Sequence, residues 1–269
     1  MWKRILSALV LIPAVLAIMV WAPLWLFTLV VYLICLLAFH EFIRMGRNIF
    51  TGYRFGPVYI PAVLAGGVAI YPWIADHRLM ALLAFFLMAG VTSVLLASCV
   101  EEIMTLLAWP LLGFVYIYIL FSYVVDIRFS FAPEKGLLLL LFFLLIQWVG
   151  DTFSYLTGMA FGQHRLAPAI SPKKTLEGTI GGLAGSASVG WLLTVVVLTD
   201  ASPWLGLLFG LLVGGFGQLG DLLESQLKRT CKVKDSSNLI PGHGGVLDRL
   251  DSLIFTAPLY FGVLKYWLI

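Results

Sequence analysis

Long apolar runs alternate with short polar breaks along the whole chain. Nine runs near 20 residues can be placed, at about 5–22, 24–43, 58–75, 79–98, 105–125, 137–160, 179–199, 205–227 and 253–268. A helix rising about 1.5 Å per residue needs roughly 20 apolar residues to cross a hydrocarbon core about 30 Å thick. Backbone groups in lipid must be satisfied within their own segment, so runs of this length predict helices. The expected fold is all-α: a polytopic integral membrane protein of about nine transmembrane helices. The first run, after Met1-Trp2-Lys3-Arg4, has the charged start of a signal peptide, but a second apolar run follows almost at once. It reads as a retained span.

Composition strengthens this picture. The chain is 61% hydrophobic and 12% charged, about half the charged fraction of a soluble domain. Cys35, Cys99 and Cys231 share no metal-like or disulfide-like spacing and read as reduced, structurally minor thiols. With the N-terminus cytoplasmic, thirteen of the basic residues fall in inside segments, and only Arg78, Arg128, Lys135 and Lys265 fall outside. Basic residues resist translocation, so this orientation is the expected one. Residues 1–135 read as N-terminal transmembrane helices, a scaffold with room for dimer contacts. Residues 136–269 read as a C-terminal transmembrane catalytic region with cytoplasmic loops 161–178 and 228–252.

The polar residues concentrate in that second region. Asp221, Glu224, Ser225 and Lys228 stand at i, i+3, i+4 and i+7, one face of a helix. Carboxylates in a membrane segment are costly without a partner, an ion or water. A Glu224–Lys228 pair accounts for one of them and leaves Asp221 a turn deeper. Gly215, Gly217 and Gly220 spell GxGxxG, but no strand precedes them, so they read as small residues for close helix packing and not as a dinucleotide site.

A loop with Lys228, Arg229, Lys232 and Lys234 follows, then Gly-rich residues 241–245, then Asp248, Arg249, Asp251 and Ser252. Asp248 and Asp251 fit either as caps at a helix start or as ligands. Two acid-bearing helix ends joined by a loop of cations and glycines read as a metal–polyphosphate site. Carboxylates suit a hard cation such as Mg²⁺, glycines admit backbone N–H groups to phosphate, and cations neutralise the remaining charge. His243 lacks the partners that zinc needs and reads as a phosphate contact or a loop-shaping residue. Upstream, Gln147, Asp151, Ser154 and Gly158 share a helix face. Ser171 is placed as an N-cap ahead of Pro172, with Lys173 and Lys174 beside a helix N-terminus that favours phosphate. His40 and Glu41, at the end of the second run, suggest only pairing with a neighbouring helix.

These residues resemble the signature of the phosphatidate cytidylyltransferase (CDP-diacylglycerol synthase) family, bacterial type. The resemblance rests on Ser225-x-Leu227-Lys228-Arg229, Lys234-Asp235, Pro241-x-His243-Gly244-Gly245 and Asp248-Arg249-x-Asp251. Gly150-Asp151 and Ser171-Pro172-Lys173-Lys174-Thr175-x-Glu177-Gly178 are similar to further elements. It covers roughly residues 147–252. The family often has glycine at the positions of Lys232 and Ser237, and tryptophan at that of Leu176.

The resemblance implies transfer of the cytidylyl group of CTP to phosphatidic acid, giving CDP-diacylglycerol and pyrophosphate, with Mg²⁺ and room for a second cation. It implies a homodimer in the bacterial inner membrane with its active site facing the cytoplasm, and no nucleic-acid partner. Asp221, Asp248, Lys228 and Arg249 map as catalytic, and Asp221, Asp248, Asp251 and Asp151 as metal ligands. Lys173, Lys174, Ser225, Arg229, Lys234, Asp235, His243, Gly244 and Gly245 map as contacts to CTP or the lipid headgroup. Two other readings use the same charges: a CTP-dependent lipid-alcohol (polyprenol-type) kinase, and an ion-coupled transporter with Asp151 and Asp221 on its path. The charges cluster at one face and not at the midplane, which argues against transport.

Overall fold

Each predicted apolar run contains a helix in the computed structural model. The structure describes residues 2–52, 55–71, 76–97, 99–240, 242 and 244–268, the side chains of 2–8, 10, 11, 101, 267 and 268 excepted. The helices are α1 (Trp2–Trp21), α2 (Leu24–Gly46), α3 (Tyr59–Ile70), α4 (His77–Leu96), α5 (Val100–Gly113), α6 (Tyr123–Phe129), α7 (Pro133–Phe161), α8 (Leu176–Val196), α9 (Pro203–Thr230) and α10 (Asp251–Val263). Pro110 lies inside α5, which runs on through a π-helical turn, Phe114–Ile119, towards α6. Among the described residues six helical segments are long and apolar enough to cross a membrane. They are Leu24–Gly46, His77–Leu96, Glu102–Phe129, Pro133–Phe161, Leu176–Val196 and Pro203–Thr230. The third predicted run gives only a 12-residue α3, which rises about 18 Å.

Packing divides the chain into two compact units. The first joins Met1–Asp126 to Lys228–Leu250, and the second joins Ile127–Leu227 to Asp251–Ile269. Neither is continuous in sequence. The first unit has an aromatic core. Phe85 stacks on Phe114 with centroids 4.2 Å apart, and Phe42 stacks on Trp109 at 4.4 Å. Trp109 Nε1 donates to the Phe42 carbonyl at 3.3 Å. Gly46 has no side chain because the Trp109 ring occupies the place its Cβ would take.

The second unit is built on small residues. They recur every fourth position in α8, at Gly178, Gly182, Ser186 and Gly190, and in α9, at Gly206, Gly210 and Gly214. A Cβ on Gly190 would lie 2.3 Å from the Gly206 carbonyl, and one on Gly210 would lie 2.3 Å from that of Ser186. Backbones approach this closely in membrane helices where no side chain separates them. The helices are also tied by polar bonds: Gln147 Nε2 donates to Thr256 Oγ1 at 3.2 Å, and Tyr260 Oη donates to the Leu139 carbonyl at 2.8 Å. Gly217 and Gly220 serve this packing, against Gln147 and against Phe255.

Candidate active site

The connection from α7 to α8 departs from the expected capping pattern. Ser171 does not cap a helix. Ser171–Thr175 forms a strand, β2, antiparallel to β1 (Arg165–Ala167). The cap is Thr175, four residues later, whose Oγ1 accepts from Gly178 N at 3.1 Å. Glu177, in the first turn of α8, accepts from the backbone N–H of Gln163 at 3.1 Å and meets His164 Nδ1 at 2.6 Å. Pairing of Ser171 with Ala167 and of Thr175 with Arg165, on either side of an irregularity, overrides the local signal that Ser-Pro gives for a helix start.

The hairpin delivers Lys174 to α9. Its Nζ lies 2.6 Å from Asp221 Oδ2, and the two side chains are 25% and 32% exposed. Ser225 Oγ, one turn on, donates to Asp221 Oδ1 at 3.3 Å. Gly220, beside Asp221, abuts the Asp251 carbonyl, to which a Cβ there would come within 2.9 Å. The start of α10 thus sits against the turn of α9 that carries Asp221. Asp251 is the first residue of α10, and its Oδ1 accepts from Ser252 N at 2.7 Å. Asp151 is exposed on α7, one residue after Gly150, where Ser186 of α8 packs. Lys173 is exposed, and Glu224 is fully buried.

In the first unit Lys228 Nζ donates to Asp248 Oδ1 at 2.6 Å, with side-chain exposures of 11% and 4%. Asp248 Oδ2 accepts from Ser236 N at 2.9 Å, Ser236 Oγ at 3.0 Å and Gly245 N at 2.8 Å. Burial alone would raise the Asp248 carboxyl. The Lys228 bond, the Gly245 and Ser236 amides and the lysine charge outweigh it and hold the carboxyl below its ordinary value. Arg229 Nη1 donates to the Val233 carbonyl at 3.2 Å, and Lys234, Asp235 and Arg249 are exposed. His243 lies outside the described residues. Gly244 adopts φ +81°, and a Cβ there would meet Asp248 Oδ2 at 2.7 Å, so glycine is demanded twice over. Lys232 also has a left-handed φ of +58°, which explains a preference for glycine at this position. Cys231 is buried and its thiol is pushed up to about 11, fitting an inert structural role.

One residue gains a role that the sequence did not suggest. Glu41 of α2, 2% exposed, has four hydrogen-bond donors of this loop within reach, one of which, Ser236 Oγ, it shares with Asp248. The donors are Ser236 Oγ (2.8 Å), Ser237 Oγ (2.6 Å), Val246 N (3.0 Å) and Leu247 N (2.9 Å). The available signal was an acid near the end of an apolar run. Nothing local pointed to partners some 200 residues away.

The carboxylates differ in their fitness for a cation. Asp221 is partly exposed and, among the described residues, engaged by Lys174 and Ser225, so it fits a hydrated hard cation that uses one or two carboxylates plus substrate phosphates. Asp251 and Asp151 belong to the same unit. Asp248 would have to exchange one of its hydrogen bonds for a metal. Among the described residues no group of three or more His, Cys, Asp or Glu is arranged to hold a metal ion.

Residues 2–267 match the profile of the cytidylyltransferase family. A phosphatidate cytidylyltransferase of Staphylococcus saprophyticus is 34% identical over 262 residues, covering 92% of this chain and 95% of the relative. One from Staphylococcus haemolyticus is 34% identical over 261 residues with the same coverage. One from Staphylococcus aureus is 47% identical over 138 residues, 50% of this chain and 53% of the relative. A match of this extent, over two units that each carry a lysine–carboxylate pair, decides the assignment: the chain belongs to the cytidylyltransferase family.

Proposed function

We propose that the protein transfers the cytidylyl group of CTP to phosphatidic acid, forming CDP-diacylglycerol and releasing pyrophosphate. The observation that carries this is likeness to phosphatidate cytidylyltransferases along nearly the full length of both chains. The acceptor phosphate is already an anion, so it attacks the α-phosphorus of CTP without a general base. The obstacle is repulsion between two anions. Positioning and charge neutralisation are therefore the main catalytic needs.

The residues fit those needs. Asp221 would hold a hydrated Mg²⁺ together with the substrate phosphates, the family resemblance adding Asp251 and Asp151 as further candidate ligands, and the ion, when bound, neutralises phosphate charge as a Lewis acid. Lys174 is poised to leave Asp221 for an incoming phosphate. Lys228 and Arg249 neutralise charge, Asp248 fixes Lys228, and Lys173, Arg229 and Lys234 supply further cationic contacts. Ser225, Asp235, His243, Gly244 and Gly245 complete the substrate contacts in this proposal. The site faces the cytoplasm of the bacterial inner membrane, the side where most basic residues are expected, and the family resemblance adds a homodimer. The test uses purified protein in detergent with labelled CTP, phosphatidic acid and Mg²⁺. Wild type is expected to form labelled CDP-diacylglycerol and Asp221→Asn to lose it. No product from wild type would overturn the function, and an undiminished variant would overturn the role of Asp221.

A further inference from the structure

Glu41 lies near the C-terminal end of α2, far in sequence from every residue assigned to chemistry above. Its four donors all come from one loop, two as hydroxyls and two as consecutive backbone amides. Those amides, of Val246 and Leu247, immediately precede Asp248, and Asp248 holds Lys228. Ser236 links the two acids, with its Oγ 2.8 Å from Glu41 Oε2 and 3.0 Å from Asp248 Oδ2. A hydroxyl has one proton, so it donates to one carboxylate at a time. The Ser236 amide serves Asp248 in any case.

Burying a carboxylate is unfavourable, and an apolar side chain would pack a helix end at less cost. What the carboxylate adds is a fixed address for the loop. Gly245 is shaped to the same purpose, because a Cβ there would fall 2.4 Å from Glu41 Oε2 and 2.0 Å from Ser236 Oγ. Outside this buried staple the loop carries its charge to solvent, with Arg229, Lys232, Lys234 and Arg249 all exposed. Of the two substrates, the triphosphate has the greater charge for such a loop to meet.

We infer that Glu41 is a positioning residue for nucleotide binding: through Val246, Leu247 and Ser236 it sets the loop whose cations receive the CTP phosphates. The inference rests on the cytidylyltransferase reading and names the contribution of α2 to it. Glu41 touches no substrate.

The test compares wild type, Glu41→Gln and Ser237→Ala as full-length protein in detergent micelles. Steady-state kinetics are read in CTP, and hydrogen–deuterium exchange is read over residues 236–247. Glu41→Gln keeps the shape but turns one acceptor into a donor. It is expected to raise KM for CTP about tenfold and to speed exchange in the loop. Ser237→Ala removes the bond to Glu41 Oε1 and the one that Ser237 Oγ accepts from Leu239 N, and is expected to raise KM about threefold. A merely structural role would reduce the active fraction, lowering kcat at constant KM. A wild-type KM in Glu41→Gln, with or without faster exchange, overturns the inference. If Glu41→Gln does not fold, Ser237→Ala decides by the same criterion. Absence of product from wild type overturns the reaction assignment instead, and the exchange arm, which needs no turnover, still decides whether Glu41 holds the loop.

Discussion

Lys174 meets Asp221 and Lys228 meets Asp248 at the same 2.6 Å, yet the two pairs sit in unlike surroundings. The first is a quarter to a third exposed, and its carboxylate also accepts from Ser225. The second is nearly sealed, and its carboxylate accepts from two loop amides as well, with the Ser236 hydroxyl shared between it and Glu41. Exposed pairs gain little from their attraction and exchange partners easily. Buried pairs are costly to break, because removing one partner strands the other. Equal distances therefore hide a division of labour, with the open pair suited to an arriving phosphate or cation and the sealed pair suited to holding a loop in shape.

Removing each acid separates these roles. Asp221→Asn is expected to lower turnover about 100-fold or more while moving the melting temperature by less than about 3 °C, read by intrinsic fluorescence in detergent. Asp248→Asn is expected to destabilise by about 3 kcal/mol, read as a clearly lower melting temperature and faster proteolysis after Lys228 and Lys234. If the two variants melt alike, the contrast between the pairs collapses.

Acid sharpens the comparison further. The Asp248 carboxyl lies below its ordinary value, so its stabilising contribution is complete above the unfolded-state pKa of about 3.9 and fades as pH falls through the folded value. Melting curves from pH 7 down to about 3 should therefore show a loss below about pH 4 that is absent in Asp248→Asn. A loss centred near neutral pH would point to another group. The smallest effect belongs to the segment that presents Lys174. Thr175→Ala removes the α8 cap and is expected to cost about 1 kcal/mol, lowering the melting temperature by about 2–4 °C.

The helices were legible because lipid imposes a single rule: a long apolar run must satisfy its own backbone. The charges were legible for the complementary reason, since Asp221 and the loop cations have no cheap explanation in such a chain. Three features were not. Ser171-Pro172 reads locally as a helix start, but pairing with Arg165–Ala167 makes it strand and moves the cap to Thr175. Asp248 reads as a helix-start cap or a metal ligand, and only the fold brings Lys228, Ser236 and Gly245 around it. Glu41 finds its partners 195 to 206 residues downstream, a distance that no periodicity spans.

That separation has a consequence in time. Ribosomes add about 5–20 residues per second, so the interval between making α2 and making Ser236 is roughly 10–40 s. For that interval the acid at the end of an emerging apolar helix lacks every donor that later surrounds it. The nascent chain must shelter it in headgroup water or against the insertion machinery until α9 and the loop arrive. The hydrogen bonds at Glu41 thus mark a late step of biogenesis, in which α2 is joined to a loop synthesised some 200 residues after it.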